Sequence, residues 1–219
     1  MMSQALKTRR EIEEDTRKDH ILSIAERLFA QHGLIDTSMA DIAKEAEFGV
    51  GTIYKYFKDK NTLIQSLLDA RLGAHFDEID AVLETSGSPE EIIERVIDAH
   101  LASVARRRLF FIIYYTHFHP GTIDGYSGYS GALDHTFMHN RKKKMLQSIS
   151  TVFQKGAAVG RFVGLKSSYL TAALFGMFIS FSFLDEHIVE GDWGLEEKQA
   201  ALKQIFFEAV RRKTQTNKN

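Results

Sequence analysis

Gly49-Val50-Gly51-Thr52-Ile53-Tyr54-Lys55-Tyr56-Phe57 is the stretch on which the reading of this chain turns. Ile53 and Phe57 are one helical turn apart and face inward together. The other residues are small, hydroxyl-bearing, aromatic or cationic, and none of them is needed for a core. Just before it, Glu47, Phe48 and Gly49 make a tight connection to a shorter helix that begins near Ser38. Ile42, Ala43 and Ala46 give that helix its buried face, and Ser38 with Asp41 has the spacing of a capping box. Further upstream, Ile21, Ile24, Ala25, Leu28 and Phe29 keep helical spacing over about Thr16 to His32, and Gly33 stands where a helix ends. Downstream, Lys58 and Asp59 break the pattern. A long fourth helix then carries Leu63, Ile64, Leu67, Leu68, Leu72, Phe76 and Ile79.

Three helices with a tight turn before the third are the scaffold of a helix-turn-helix, whose third helix enters the major groove of DNA. The expected contact residues are Thr37, Ser38, Gly49, Val50, Gly51, Thr52, Tyr54, Lys55, Tyr56 and Lys60. Gly51 allows close approach. Thr52 offers a hydroxyl to phosphate and a methyl to thymine. The tyrosine hydroxyls and Lys60 suit phosphates, as do the hydroxyls and amides of Thr37 and Ser38. From periodicity alone a purely structural bundle remains open.

The remainder of the 219-residue chain reads as helix too. Ser88-Pro89 with Glu91 starts a helix that reaches about Arg107, and another follows to about Phe118. Residues 120–131 are glycine-rich and polar, so a loop is expected. Helices follow over about 132–158, 167–189 and 195–212. The fold class is therefore all-α: a three-helix N-terminal domain over 16–62 and a larger helical domain over 63–213. Flexible tails are expected at 1–15 and 214–219.

The composition is 44% hydrophobic and 26% charged, with a formal net charge of -1. Any DNA-binding surface is then local rather than global. There is no cysteine, which excludes disulfides, thiolate metal sites and cysteine nucleophiles. The N-terminus lacks the apolar stretch of a secretory signal, and the most apolar runs are too short or too interrupted to span a bilayer. A cytoplasmic protein is expected.

The run from Ile21 to Leu68 resembles the DNA-binding domain of TetR-family regulators. The likeness lies in Ile21, Ala25, Leu28, Phe29 and Gly33, then in Thr37-Ser38-Met39-Ala40-Asp41-Ile42-Ala43 and Ala46. It is strongest in Gly51-Thr52-Ile53-Tyr54-Lys55-Tyr56-Phe57, followed by Lys60 and Leu63. Two positions depart from the family pattern: Glu47 stands where the turn usually has glycine, and Gly49 where serine often caps the third helix.

The resemblance implies a homodimer formed through the last two helices, an operator with two half-sites, and a small-molecule effector bound in the second domain. The apolar circumference of the helix after Ser167 independently suggests an interface, with Leu170, Leu174, Met177, Phe181, Leu202, Ile205, Phe206 and Val210 as its candidates. Candidate pocket walls are Phe110, Phe111, Tyr114, Tyr115, Phe118, Phe137, Met138, Phe153, Phe175 and Phe178, which suit an apolar or aromatic ligand. The cationic runs Arg106-Arg107-Arg108 and Arg141-Lys142-Lys143-Lys144 read as solvated faces, or less readily as receivers of an anionic ligand group. His117, His119, His135 and His139 cluster near one loop, but no cysteine or well-spaced acid joins them, so no metal and no cofactor is expected. The expected function is a repressor released from DNA by its effector. A DNA-binding organiser without a ligand and a helical enzyme are the alternatives. No nucleophile elbow, phosphate loop or HExxH motif supports the enzyme.

Overall fold

The computed structural model describes residues 8–117, 136–182 and 193–211. Among these the regular elements are α1 (Arg9–Asp36), α2 (Met39–Glu45), α3 (Val50–Tyr56), α4 (Lys60–Leu83), α5 (Pro89–Arg106), α6 (Arg108–His117), α7 (Thr136–Ala158), α8 (Ser167–Ser182) and α9 (Leu195–Val210). The chain divides into two compact units, one of residues 1–71 and 108–134, the other of 72–107 and 135–219. The expected division after residue 62 thus moves to residue 71 within α4, and α6 joins the first unit.

In the first unit α1 begins at Arg9, so residues 9–15 are helix rather than tail. The cause is local. The Glu11 N–H donates to the Thr8 hydroxyl at 3.3 Å, and the Thr8 N–H donates to the Glu11 carboxylate at 2.7 Å. Arg9–Glu13 and Arg10–Glu14 then pair one turn apart. Gly33 interrupts α1 with φ 85°, a left-handed conformation that glycine adopts without a Cβ penalty. The core is almost entirely hydrocarbon: Ile21, Ala25, Ile42, Ala43, Ile53 and Leu63 have no exposed surface, and Phe57 has almost none.

Two cations tie the start of α4 back to α1. Arg71 donates to Asp19 at 2.8 Å, Glu26 at 2.9 Å and the Ser23 hydroxyl at 2.9 Å. Lys60 donates to the main-chain carbonyls of Leu34 and Ile35, just past the Gly33 break. The first turn of α4 is closed by Asp59, which accepts from the Thr62 N–H at 2.7 Å.

In the second unit α5 starts on the expected capping box of Ser88 and Glu91, with Pro89 at its first position. Its apolar face, Ile93, Val96, Ile97, Leu101 and Val104, is buried. α5 packs on α7, α8 and α9, and α8 packs on both α7 and α9. Phe153 meets Phe162 at 5.3 Å and Phe206 at 5.8 Å between ring centroids, an aromatic core for this end of the unit. Gly156 of α7 lies against the Phe162 ring and Pro89, so a methyl group there would collide with the ring and crowd Pro89. Among the described residues no helix is long and apolar enough to cross a membrane. The expected loop over 120–131 falls outside the described residues.

Candidate nucleic-acid interface

α3 is held from one side only. Ile53, fully buried, and Phe57, 2% exposed, anchor it in the first unit. Val50 and Tyr54, one turn apart, are 43% and 50% exposed, and Gly49, Gly51 and Lys55 are exposed beside them. Thr52 and Tyr56 are half-buried at the margins. The outcome is a short helix with one apolar face in the core and a second face of glycine, hydroxyl, ring and ammonium open to solvent. That face suits the major groove, which admits a helix and is read by side chains of this kind.

Ser38 is exposed at the head of α2. Its hydroxyl donates to Asp41 at 2.5 Å and accepts from the Asp41 N–H at 3.1 Å. The hydroxyl and N–H of Ser38 hold the Asp41 carboxyl below its ordinary range.

Two of the ten expected contact residues are placed differently. Thr37 is 2% exposed, and its hydroxyl donates to the Gly33 carbonyl at 2.8 Å, so it closes the Gly33 break instead of facing outward. Lys60 is half-buried, with its ammonium on the Leu34 and Ile35 carbonyls and 5.9 Å from the Phe29 ring centre. It satisfies the carbonyl end of α1, a structural duty that spacing alone does not reveal. Glu47 has φ 57°, the left-handed turn conformation that glycine would occupy more easily.

A family model described as "Bacterial regulatory proteins, tetR family" matches residues 21–67, which span α1 to α4 through this surface. The chain is 27% identical over 147 residues to the transcriptional repressor KstR2 of Mycolicibacterium smegmatis, covering 67% of this chain and 68% of that one. It is 36% identical over 118 residues to the regulator AcrR of Shigella flexneri, covering 51% of this chain and 53% of AcrR. Residues 21–67 carry the DNA-binding pattern of the TetR family. The solved structure of AibR with isovaleryl coenzyme A and operator DNA has the same fold, with TM-score 0.70 at 18% identity, over 88% of this chain and 99% of AibR. The matched segment lies in the first unit, and together with the likeness to KstR2 and AcrR, both named as transcriptional regulators, it supports a TetR-type transcriptional regulator.

The expected ligand-wall residues divide between the units. Phe110, Phe111, Tyr114 and Tyr115 belong to the first, and Phe153, Phe175 and Phe178 to the second. Phe110, Phe111, Phe153 and Phe178 are buried, whereas Tyr114, Tyr115 and Phe175 are half-buried. Burial pushes the Tyr115 hydroxyl well above its ordinary range, which keeps it a neutral hydrogen-bonding group. Phe118, His119 and His135 lie outside the described residues, as do the side chains of His117, Phe137 and Met138. His139 is exposed.

The expected dimer residues need revision. Leu170, Leu174, Leu202, Phe206 and Val210 are at most 5% exposed within the single chain. They fill its own core and have no surface left for a second copy. Met177 and Phe181 are half-buried, and Ile205 is 54% exposed. The open side of α8 carries Tyr169, Ala172, Ala173, Gly176 and Ser180.

Sequence reading missed a buried polar cluster in the second unit. His75 on α4 meets the Ser103 hydroxyl on α5 at 3.0 Å, and Arg107 donates to that hydroxyl at 2.7 Å. His100 on α5 stacks on Phe178 of α8 at 4.0 Å and lies 5.1 Å from His75. Burial lowers His75 to about 4 and lowers His100 well below its ordinary value, so both are neutral at pH 7. Burial would raise Glu78, but bonds from Arg107, Ser103 and Arg106 outweigh it and hold its carboxyl at about 2. The signal was present in the sequence: His100 interrupts the buried row Ile93, Val96, Ile97, Leu101, Val104, and His75 sits between Leu72 and Phe76.

Proposed function

We propose that this chain is a cytoplasmic TetR-type repressor that binds a pseudo-palindromic operator as a homodimer and leaves it when a small, largely apolar or aromatic effector binds. The observation that carries the reading is the outward face of α3: Gly49, Val50, Gly51, Tyr54 and Lys55 are exposed on a helix anchored only through Ile53 and Phe57. In this reading Gly49, Val50, Gly51, Thr52, Tyr54, Lys55 and Tyr56 meet bases and backbone, with Ser38 at the flank. KstR2 is named a repressor, and AibR is described with both an acyl coenzyme A and operator DNA, which favours a regulator answering to a small molecule. The small residues Ala172, Ala173, Gly176 and Ser180 on the open side of α8 allow close helix approach, and Ile205 on α9 adds apolar surface, so these replace the buried leucines as the dimer face.

The test is fluorescence anisotropy of the purified chain on the DNA upstream of its own gene. A salt titration and an unrelated duplex serve as controls. Tight, salt-sensitive binding that prefers the upstream DNA is expected. Equal weak binding to both duplexes, repeated after selection from random sequence, would overturn the DNA-binding reading.

A further inference from the structure

The cationic run on α7 is not uniform. Arg141 pairs with Asp77 at 2.7 Å and Asp80 at 3.5 Å, and Lys144 pairs with Asp80 at 3.6 Å. Lys142, between them, has no carboxylate partner among the described residues. Its ammonium lies 4.6 Å from the centre of the Phe175 ring on α8 instead. Lys142 is half-buried, unlike the exposed Lys143 and Lys144. A lysine with no neighbouring acid ordinarily extends its ammonium into water. This one is drawn under partial cover on a half-buried aromatic ring, where desolvation lowers its pKa and no nearby charge offsets the shift. His139, one turn earlier on the same face of α7, is exposed and can add a second donor.

A partly desolvated cation whose only partner is a ring face gains most from an anion brought to its free side, because the anion supplies the missing counter-charge. An adjoining apolar group would find Phe175 next to it. We propose that Lys142 and Phe175 form the acid-recognition corner of the effector site, taking a carboxylate or phosphate on Lys142 and the neighbouring apolar part of the molecule along Phe175. This rests on the reading of the chain as a small-molecule-responsive regulator and narrows the effector class to organic anions.

The experiment uses the full chain with octanoate, phenylacetate, octanoyl coenzyme A and phenylacetyl coenzyme A. Octanamide and phenylacetamide serve as the uncharged counterparts. Binding is read by calorimetry in the wild type, K142M, K142Q and K142R. At least one acid or thioester should bind the wild type at least tenfold more tightly than its amide. K142M and K142Q should lose that preference, and K142R should keep most of it. A preference for the free acids assigns the corner to a carboxylate, and one confined to the thioesters assigns it to phosphate.

Amides binding as tightly as the acids, an unaltered preference in K142M and K142Q, or no binding by any anionic probe would each overturn the proposal. So would a change of oligomeric state in K142M, which would give the ammonium to a contact between copies. Operator binding without any probe is expected to be unchanged in all three variants. Release of DNA by an amide alone would leave the regulator reading standing and remove the acid corner, whereas failure of the wild type to bind DNA removes the regulator reading itself.

Discussion

The two units handle polar groups in opposite ways. The first keeps its core almost free of them. Thr37 is its one buried polar residue among those described, and that hydroxyl is satisfied by a main-chain carbonyl one turn back. Its charged groups work at the margins, as caps (Ser38–Asp41, Asp59–Thr62) and as clamps from α4 onto α1 (Lys60, Arg71). The second unit buries His75, His100, Ser103 and Thr171 and leaves Lys142 half-covered. A unit that presents one fixed helix to DNA needs a rigid scaffold, and hydrocarbon with satisfied caps supplies it. If the second unit recognises a small molecule, as proposed above, polar groups under cover are what would discriminate, at the cost of their desolvation.

The largest expected effect tests the first half of that contrast. Ile53→Ala removes the fully buried anchor of α3 and should destabilise the first unit by about 2–5 kcal/mol. Urea denaturation followed by circular dichroism measures it, with loss of operator binding in parallel. A cost well under 1 kcal/mol would mean that α3 is not held by its inward face.

The next effect belongs to the second unit. The folded-state pKa of His75, about 4, lies below its unfolded value, and burial is the cause. The unfolded chain therefore binds the additional proton first. Stability is fully present above about pH 6.5 and falls as the pH drops towards 4, by roughly 3 kcal/mol for His75 alone. His100 acts in the same direction. Denaturant midpoints measured from pH 7.5 to 4.5 should show this slope, and the double variant His75→Leu, His100→Phe should flatten it. An equally steep slope in that variant would place the titration elsewhere.

A paired comparison sharpens the division of labour within the first unit. Lys60→Met removes charge-assisted bonds to two carbonyls and should cost about 1.5–3 kcal/mol of stability, with weaker DNA binding only as far as the unit unfolds. Tyr54→Ala, at a half-exposed ring, should leave stability within about 0.5 kcal/mol of wild type and lower operator affinity severalfold. Equal losses of affinity at unchanged stability in both would return Lys60 to the DNA surface.

The first unit was the more legible in sequence because its rules are local. The helical spacing of Ile21, Ala25, Leu28 and Phe29, the Ser38–Asp41 box, the Gly33 break and the inward pair Ile53 and Phe57 all stand in the structure where periodicity and capping put them. Misreadings arose where a partner lies far along the chain. Lys60 meets carbonyls 25 and 26 residues away, and Arg71 meets Asp19 across 52 residues. The beginning of α1 was missed because the acids after Thr8 look like a solvated tail until the Thr8–Glu11 box is recognised. In the second unit an aromatic or leucine on a helix fits core, interface or pocket equally well by spacing. Only packing showed that Leu170, Leu174, Leu202, Phe206 and Val210 face their own chain.

The smallest expected effect concerns Glu47, the one left-handed non-glycine residue among those described. Glu47 holds φ 57° in the turn between α2 and α3, and its side chain is exposed. A left-handed residue with a Cβ costs about 1–2 kcal/mol, and glycine removes that cost while adding back some chain entropy on unfolding. Glu47→Gly should therefore stabilise the unit by about 1 kcal/mol. It also removes an exposed negative charge three residues before Val50. If that charge repels phosphate, operator affinity rises in the same variant, and the rise is larger at low salt. Glu47→Ala separates the two effects, since it removes the charge but keeps the Cβ. Tighter binding with unchanged stability in Glu47→Ala, together with both gains in Glu47→Gly, would show that the family's usual glycine is a matter of backbone, whereas the glutamate here tunes affinity through its charge.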